Sequence, residues 1–181
     1  YGFPPISKDN IRYNKSLGGG ILNDAGCYPI NASRMLFESE PKGVFCNLIV
    51  DKETQVDIKA TLLIDFEDNI QSQSSVGYDL EYQSNYTLWA SDGTLSLTRA
   101  YNIPPDMQAR LKIKNNLKEE EILVEPVNHF QLMLESFSDE IIKSNNSKLN
   151  FEEDLLNQAK VMEACRISND EKRYVEMKEI K

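Results

Sequence analysis

Apolar and polar positions change period twice along this chain, from helical spacing to strict alternation and back again. After Gly18-Gly19-Gly20 a helical stretch is predicted to about Phe37, with Ile30, Arg34, Met35 and Phe37 near its end. Glu40-Pro41 should stop it, because proline disfavours helix in the residue before it. From Val44 to about Val124 the period becomes two. Val44, Cys46, Leu48 and Val50 alternate with Phe45, Asn47 and Ile49. Val56, Ile58, Ala60, Leu62, Ile64 and Phe66 alternate more cleanly with Asp57, Lys59, Thr61 and Asp65. Such alternation predicts antiparallel strands with one buried and one wetter face. A turn at Glu67-Asp68-Asn69 leads into a serine-rich strand, Ile70 to Tyr78. Tyr82 to Ala90 and Thr94 to Tyr101 follow, joined by the hairpin signal Asp92-Gly93. Gln108 to Lys114 and Glu121 to Glu125 read as two further strands.

The last third returns to helical spacing. Phe130, Met133, Leu134, Phe137 and Ile141 form one apolar stripe. A second helix opens at Asn150, where Asn150 with Glu153 resembles a capping box, and its stripe runs Leu155, Ala159, Met162 and Cys165. Tyr174 to Met177 is a candidate terminal strand. The expectation is an α+β fold: a large open, mostly antiparallel sheet of six or more strands, with helices packed on one face, residues 1–181 forming a single domain. The other face, read as Ser72, Ser74, Tyr86 and Leu88, suits either a dimer interface or a solvated surface.

Charge and composition remove several alternatives. Lys and Arg number 20 against 29 Asp and Glu, a net charge of -9, with no cationic cluster to neutralise phosphates, so no nucleic-acid partner is expected. Three scattered cysteines and one histidine make no zinc site, and no metal is expected. Reduced thiols suggest a cytoplasmic protein. Sequons at Asn31, Asn85 and Asn145 read as chance matches. No apolar run approaches the roughly 20 residues of a bilayer span, so no membrane partner is expected. The opening Tyr1-Gly2-Phe3, with no methionine, reads as a fragment of something longer.

Candidate chemistry lies between Leu17 and Asn31. Gly18, Gly19 and Gly20 before a helix can let backbone approach a ligand with free N–H groups aimed outward. Asp24, Tyr28 and Asn31 stand at i, i+4 and i+7, on one helical face, where carboxylate, phenol and amide suit a sugar hydroxyl or carbonyl. Pro29 complicates that face, since it clashes with the carbonyl of Ala25; the helix must kink there or begin near Tyr28. Arg12 could meet a substrate anion or form a structural salt bridge. Tyr13 and Trp89 read as packing residues, and His129 as structural.

The pattern Gly-Gly-Gly-x-Leu-x-Asp-x-Gly-x-Tyr, followed by Arg34 and Glu40-Pro41, resembles the C-terminal domain of the glucose–fructose oxidoreductase and inositol dehydrogenase family (Gfo/Idh/MocA). The resemblance implies a substrate-binding and dimerisation domain, a homo-oligomer through the open sheet, and an N-terminal Rossmann domain, absent from this chain, that binds NAD or NADP. It implies a sugar or nucleotide-sugar substrate. Tyr28 stands where inositol dehydrogenase-like members carry histidine, as in the nucleotide-sugar ketoreductase branch. It would then be the catalytic acid or base, with Asp24, Asn31 and Arg12 binding substrate. A family lysine in a Lys-Pro motif, also absent here, would assist it, so this chain alone is expected to be inactive. The alternative is a non-catalytic dimerisation or carbohydrate-binding module on the same scaffold.

Overall fold

The alternating stretch folds into antiparallel strands close to the expected boundaries, and the two flanking stretches fold into helices, giving the α+β class. The structure, a computed structural model, describes residues 1–143 and 150–181, which places the Asn145 sequon outside the described residues. The eight strands divide into two four-stranded ladders, one in each of two compact units.

The first unit joins Tyr1–Tyr82 to Phe151–Lys181. Its sheet is built from β1 (Gly43–Val50), β2 (Asp57–Asp65) and β3 (Gln71–Gly77), completed by β8 (Val175–Glu176), in the order β3-β2-β1-β8. Helices α1 (Cys27–Phe37) and α3 (Phe151–Glu171) supply the other layer. Alternation fixes the inner face as read: Val44, Cys46, Ala60, Leu62, Ile64 and Phe66 are all buried. They meet Leu22 and Ile30 from one helix and Val161, Ala164 and Cys165 from the other. The buried stripe of α3 is thus Val161, Ala164, Cys165 and Ser168, while Leu155 is exposed.

Two serines lie opposite to their expected side. Register pairs Leu62 with Ser74 and Ile64 with Ser72, and directly paired residues share a face. Ser72 therefore faces the helices, where its hydroxyl lies 2.6 Å from that of Ser33 in α1, which in turn donates to the Pro29 carbonyl at 2.7 Å. The outer face carries Phe45, Asn47, Thr61, Leu63, Gln73 and Ser75 instead.

Strand β8 covers only Gly43 and Val44 of the β1 edge. Beyond it, side chains of α3 continue the ladder: Ser168 Oγ accepts from Cys46 N at 2.8 Å and Asn169 Oδ1 accepts from Leu48 N at 2.8 Å. At the opposite edge, Gly77 N donates to Tyr1 O and Leu80 N to Phe3 O, laying residues 1–3 beside the end of β3.

Arg34 ties this unit together. Its buried guanidinium forks onto Glu40 at 2.8 and 2.7 Å and also reaches Asp154 at 2.8 Å and Gln158 at 3.0 Å. It thus joins α1, the turn before Pro41 and α3. This pairing holds the Glu40 carboxyl below its ordinary range, chiefly through the hydrogen bonds from Arg34.

The second unit, Gln83–Asn150, is an antiparallel meander in sequence order: β4 (Asn85–Ala90), β5 (Gly93–Thr98), β6 (Ala109–Lys114) and β7 (Glu119–Val124). Tyr86, Leu88, Leu95, Leu97, Leu111 and Ile113 share one face, and Arg110 and Lys112 on the other pair with Glu121. Trp89, expected to pack, is 90% exposed. Helix α2 (His129–Lys143) follows, with Phe130, Met133, Leu134, Phe137 and Ile141 exposed. Among the described residues no helix is long and apolar enough to cross a membrane.

Replacing the side chain that caps a buried strand N–H leaves that donor unpaired, at a cost of about 1–3 kcal/mol. Ser168→Ala should lower the urea midpoint accordingly with an unchanged m-value. An unaltered midpoint would show that Ser168 does not hold the β1 edge.

Candidate functional site

The helix that carries Asp24 and Tyr28 begins at Ile21, and its first turns solve the problem that Pro29 creates. Leu22–Gly26 winds as a wide π turn before α1 takes over at Cys27. Proline lacks the donor for an α bond and its ring collides with the carbonyl four residues back. A wide turn just upstream moves that carbonyl aside, so the helix neither breaks nor starts late. Glu38, with a left-handed φ of 48°, ends it three residues before Pro41.

The helix start is fixed from another element. Asp57 Oδ2 accepts from Leu22 N at 2.7 Å, acting as an N-terminal cap supplied by β2. Gly20 makes this possible: its φ is 119°, and a Cβ there would fall 2.2 Å from Asp57 Oδ1. Gly19 is crowded too, by the carbonyls of Arg12 and Asn14. Its N–H donates to Asn14 O at 2.9 Å, that of Gly20 to Arg12 O at 3.0 Å, and that of Gly18 to Lys15 O at 3.2 Å. The glycine N–H groups, expected to aim outward at a ligand, therefore close the chain upon itself. The close approach that glycine permits here is to the protein's own carboxylate and carbonyls.

Asp24 forms an ion pair with Arg12, whose Nε donates to Asp24 Oδ2 at 2.8 Å. Arg12 Nη1 also donates to Asn10 Oδ1 at 3.3 Å, and the guanidinium carbon sits 5.9 Å from the centre of the Phe3 ring. The structure thus gives Arg12 the salt bridge that the sequence left open.

Tyr28 is 40% exposed, beside this pair. Partial burial, then Cys27 and Asp24, push its phenol above the ordinary tyrosine range, while Arg12 pulls it down. Its ring meets Tyr1 edge-on at 5.8 Å; Tyr1 in turn meets Tyr82 and Phe3, each at 6.2 Å. Behind them Phe3 packs on Tyr78 at 5.0 Å, and Tyr78 on Tyr13 at 5.2 Å. Tyr78 is 1% exposed and its hydroxyl has no hydrogen-bond partner among the described residues. Tyr13 is buried, as expected of a packing residue, and donates to Asp79 at 3.3 Å.

Asn31 stands apart from these groups in its contacts. It lines an open cavity of about 380 Å³ with Arg34, Met35, Glu38, Ser39, Glu40 and Asp154. His129 is exposed at the start of α2. Among the described residues no three His, Cys, Asp or Glu side chains are grouped to hold a metal ion.

Asp57, Tyr1 and Tyr82 escaped the sequence reading. Asp57 looked like one more polar position on a wet face. The β1–β2 register slips between Ile49 and Val50, opposite its end of β2, and such a slip interrupts regular alternation. No local pattern marks Tyr1 or Tyr82, which are brought to Tyr28 by tertiary structure alone.

The site is therefore a half-exposed phenol backed by an aromatic cluster and an Arg–Asp pair, on a helix held at both ends. A model of the GFO/IDH/MocA C-terminal domain matches residues 1–96. A dTDP-3,4-didehydro-2,6-dideoxy-alpha-D-glucose 3-reductase from Saccharopolyspora spinosa is 32% identical over 114 residues, 63% of this chain and 34% of that protein. One from Actinomadura kijaniata is 25% identical over 166 residues, covering 92% of this chain and 50% of the relative. A crystal structure of a 3-ketoreductase from Actinomadura kijaniata, in complex with NADP and TDP-benzene, shares the fold. Its TM-score is 0.86 at 24% identity, over 93% of this chain and 51% of that one. The chain thus spans about half or less of the length of these proteins.

Because Arg12 favours the phenolate of Tyr28 and offsets Asp24, Arg12→Gln should move the Tyr28 titration further upward. Ring-carbon NMR of labelled tyrosine reads this directly. An unchanged titration would show that Arg12 does not act on Tyr28.

Proposed function

The chain belongs to the Gfo/Idh/MocA family, and on that premise we propose that it is the substrate-side half of an NAD(P)-dependent oxidoreductase acting on a sugar or nucleotide sugar. The observation that carries the reading is the half-exposed Tyr28 phenol, set beside the Arg12–Asp24 pair on a helix whose start is fixed by Asp57. An acid that must reach a substrate carbonyl has to be exposed yet held, and Tyr28 is both.

In the reductive direction, hydride reaches the carbonyl carbon while Tyr28 Oη gives its proton to the carbonyl oxygen. Tyr28 is left as phenolate and regains a proton from water. In oxidation the same oxygen takes the proton. A phenol held above its ordinary range is a poor base near neutral pH, so it needs a cation that favours its ionised form. Arg12 supplies part of that field. The family resemblance points to a lysine for the rest, in a domain outside this chain. Asp24 orients a substrate hydroxyl and holds Arg12. Asn31, on the cavity side of the same helix, meets a more distant substrate group.

A nicotinamide cofactor provides the hydride when bound. Both four-stranded sheets are antiparallel ladders, and among the described residues the one parallel pairing is the bridge between Gly2 and Gly77. Dinucleotides are cradled where a parallel strand feeds a helix through a glycine turn. The Gly18–Gly20 N–H groups donate within the chain, which supports a cofactor held mainly by a further domain. NADP is favoured over NAD by the structural relative. The nucleotide-sugar substrate is favoured by the named 3-reductases. A second copy of the chain is the proposed partner of the outer sheet face, where Phe45, Ile49 and Leu63 break the polar surface.

Tyr28→Phe in the full-length protein keeps the ring that meets Tyr1 and removes the hydroxyl. Ketosugar reduction should fall by about 100-fold or more in kcat, with cofactor affinity within about twofold of the parent. Unchanged turnover would remove Tyr28 from the reaction.

A further inference from the structure

Resting on the reading of Tyr28 as acid, we infer that Tyr1 is a positioning residue that fixes the Tyr28 ring through their edge-on contact. Tyr28 is 40% exposed, and proton transfer requires its oxygen to be placed within a fraction of an ångström. The structure supplies an unbroken line of rings from the interior to that phenol. Tyr13 and Tyr78 are buried, at 5% and 1% exposure. Tyr78 packs on Phe3 at 5.0 Å, Phe3 meets Tyr1 at 6.2 Å, and Tyr1 meets Tyr28 at 5.8 Å with planes inclined by 68°. These separations lie within the range of favourable edge-to-face pairs.

The anchor itself is rigidly placed. Backbone bonds from Gly77 N to Tyr1 O, at 3.0 Å, and from Leu80 N to Phe3 O, at 3.1 Å, fasten residues 1–3 to the end of β3. Tyr1 is also braced from its other side by Tyr82, again edge-on. Burial first, then Tyr82, Tyr28 and Asp24, push the Tyr1 phenol above its ordinary range, and Arg12 lowers it, so it shares the electrostatic neighbourhood of the site. In this reading Tyr1 acts on the reaction through Tyr28, by way of their ring contact.

The test compares Tyr1→Leu with Tyr1→Phe in the full-length oxidoreductase, with Tyr28→Phe assayed alongside. Leu keeps apolar bulk but not the ring edge; Phe keeps the ring and drops the hydroxyl. Tyr1→Leu should lower kcat about tenfold with KM for the nicotinamide cofactor unchanged, and Tyr1→Phe should restore kcat to within about threefold of the parent. Thermal melts confirm that each variant is folded, and a variant at position 1 that fails to fold is replaced by Tyr1→Met, for which the Leu result is expected. A Tyr1→Leu enzyme with full kcat overturns the inference, as does a Tyr1→Phe enzyme as slow as Tyr1→Leu, which would assign the effect to the hydroxyl. A rise in cofactor KM at constant kcat overturns it as well. If Tyr28→Phe alone retains turnover, the reading of Tyr28 fails, whatever the variants at position 1 do.

Discussion

One carboxylate decides where the functional helix begins. Asp57, at the start of β2, accepts the Leu22 N–H and sits so close to Gly20 that no side chain fits there. From that contact the direction of the helix follows, and with it the positions of Asp24 and Tyr28. At the far end Arg34 fixes the same helix to Glu40 and to α3 through charge-assisted bonds from a buried guanidinium to half-exposed carboxylates. The site is thus suspended between a strand and a helix distant in sequence.

Pro29 shows how sequence conflict and site geometry are joined. A proline inside a helix ordinarily breaks it, and the π turn at Leu22–Gly26 is the accommodation. π turns of this kind occur often at functional sites because they alter which side chains share a face. Here Asp24 lies within the turn and Tyr28 just beyond it, next to the proline. Asn31, one turn further on, faces a cavity shared with Met35 and Glu40. Simple i, i+4, i+7 counting placed all three on one face; the contacts of Asn31 lie elsewhere.

The strand pattern of the first unit was legible because burial of one face imposes a period of two on six alternating apolar positions from Val56 to Phe66, four of them in β2. The α+β class was legible because spacing and flanking elements agreed. What remained hidden depends on register and tertiary contact. Whether Ser72 and Ser74 face inward is settled by pairing with Ile64 and Leu62, which alternation within a polar strand cannot reveal. The exposure of Trp89 and of the α2 stripe reflects what packs against them, which composition does not encode. The outward-facing glycine amides were a sound inference from local chemistry, overridden by carbonyls of residues 12, 14 and 15.

The central claim is that Tyr28 exchanges the proton of the reaction. It is tested most directly by a crystal structure of the full-length protein with NADP and a non-reacting ketosugar nucleotide. The account expects Tyr28 Oη within hydrogen-bond reach, roughly 2.6–3.2 Å, of the carbonyl oxygen. Arg12–Asp24 should remain paired beside it. A carbonyl oxygen held instead among the residues of the Asn31 cavity, with Tyr28 out of reach, would contradict it.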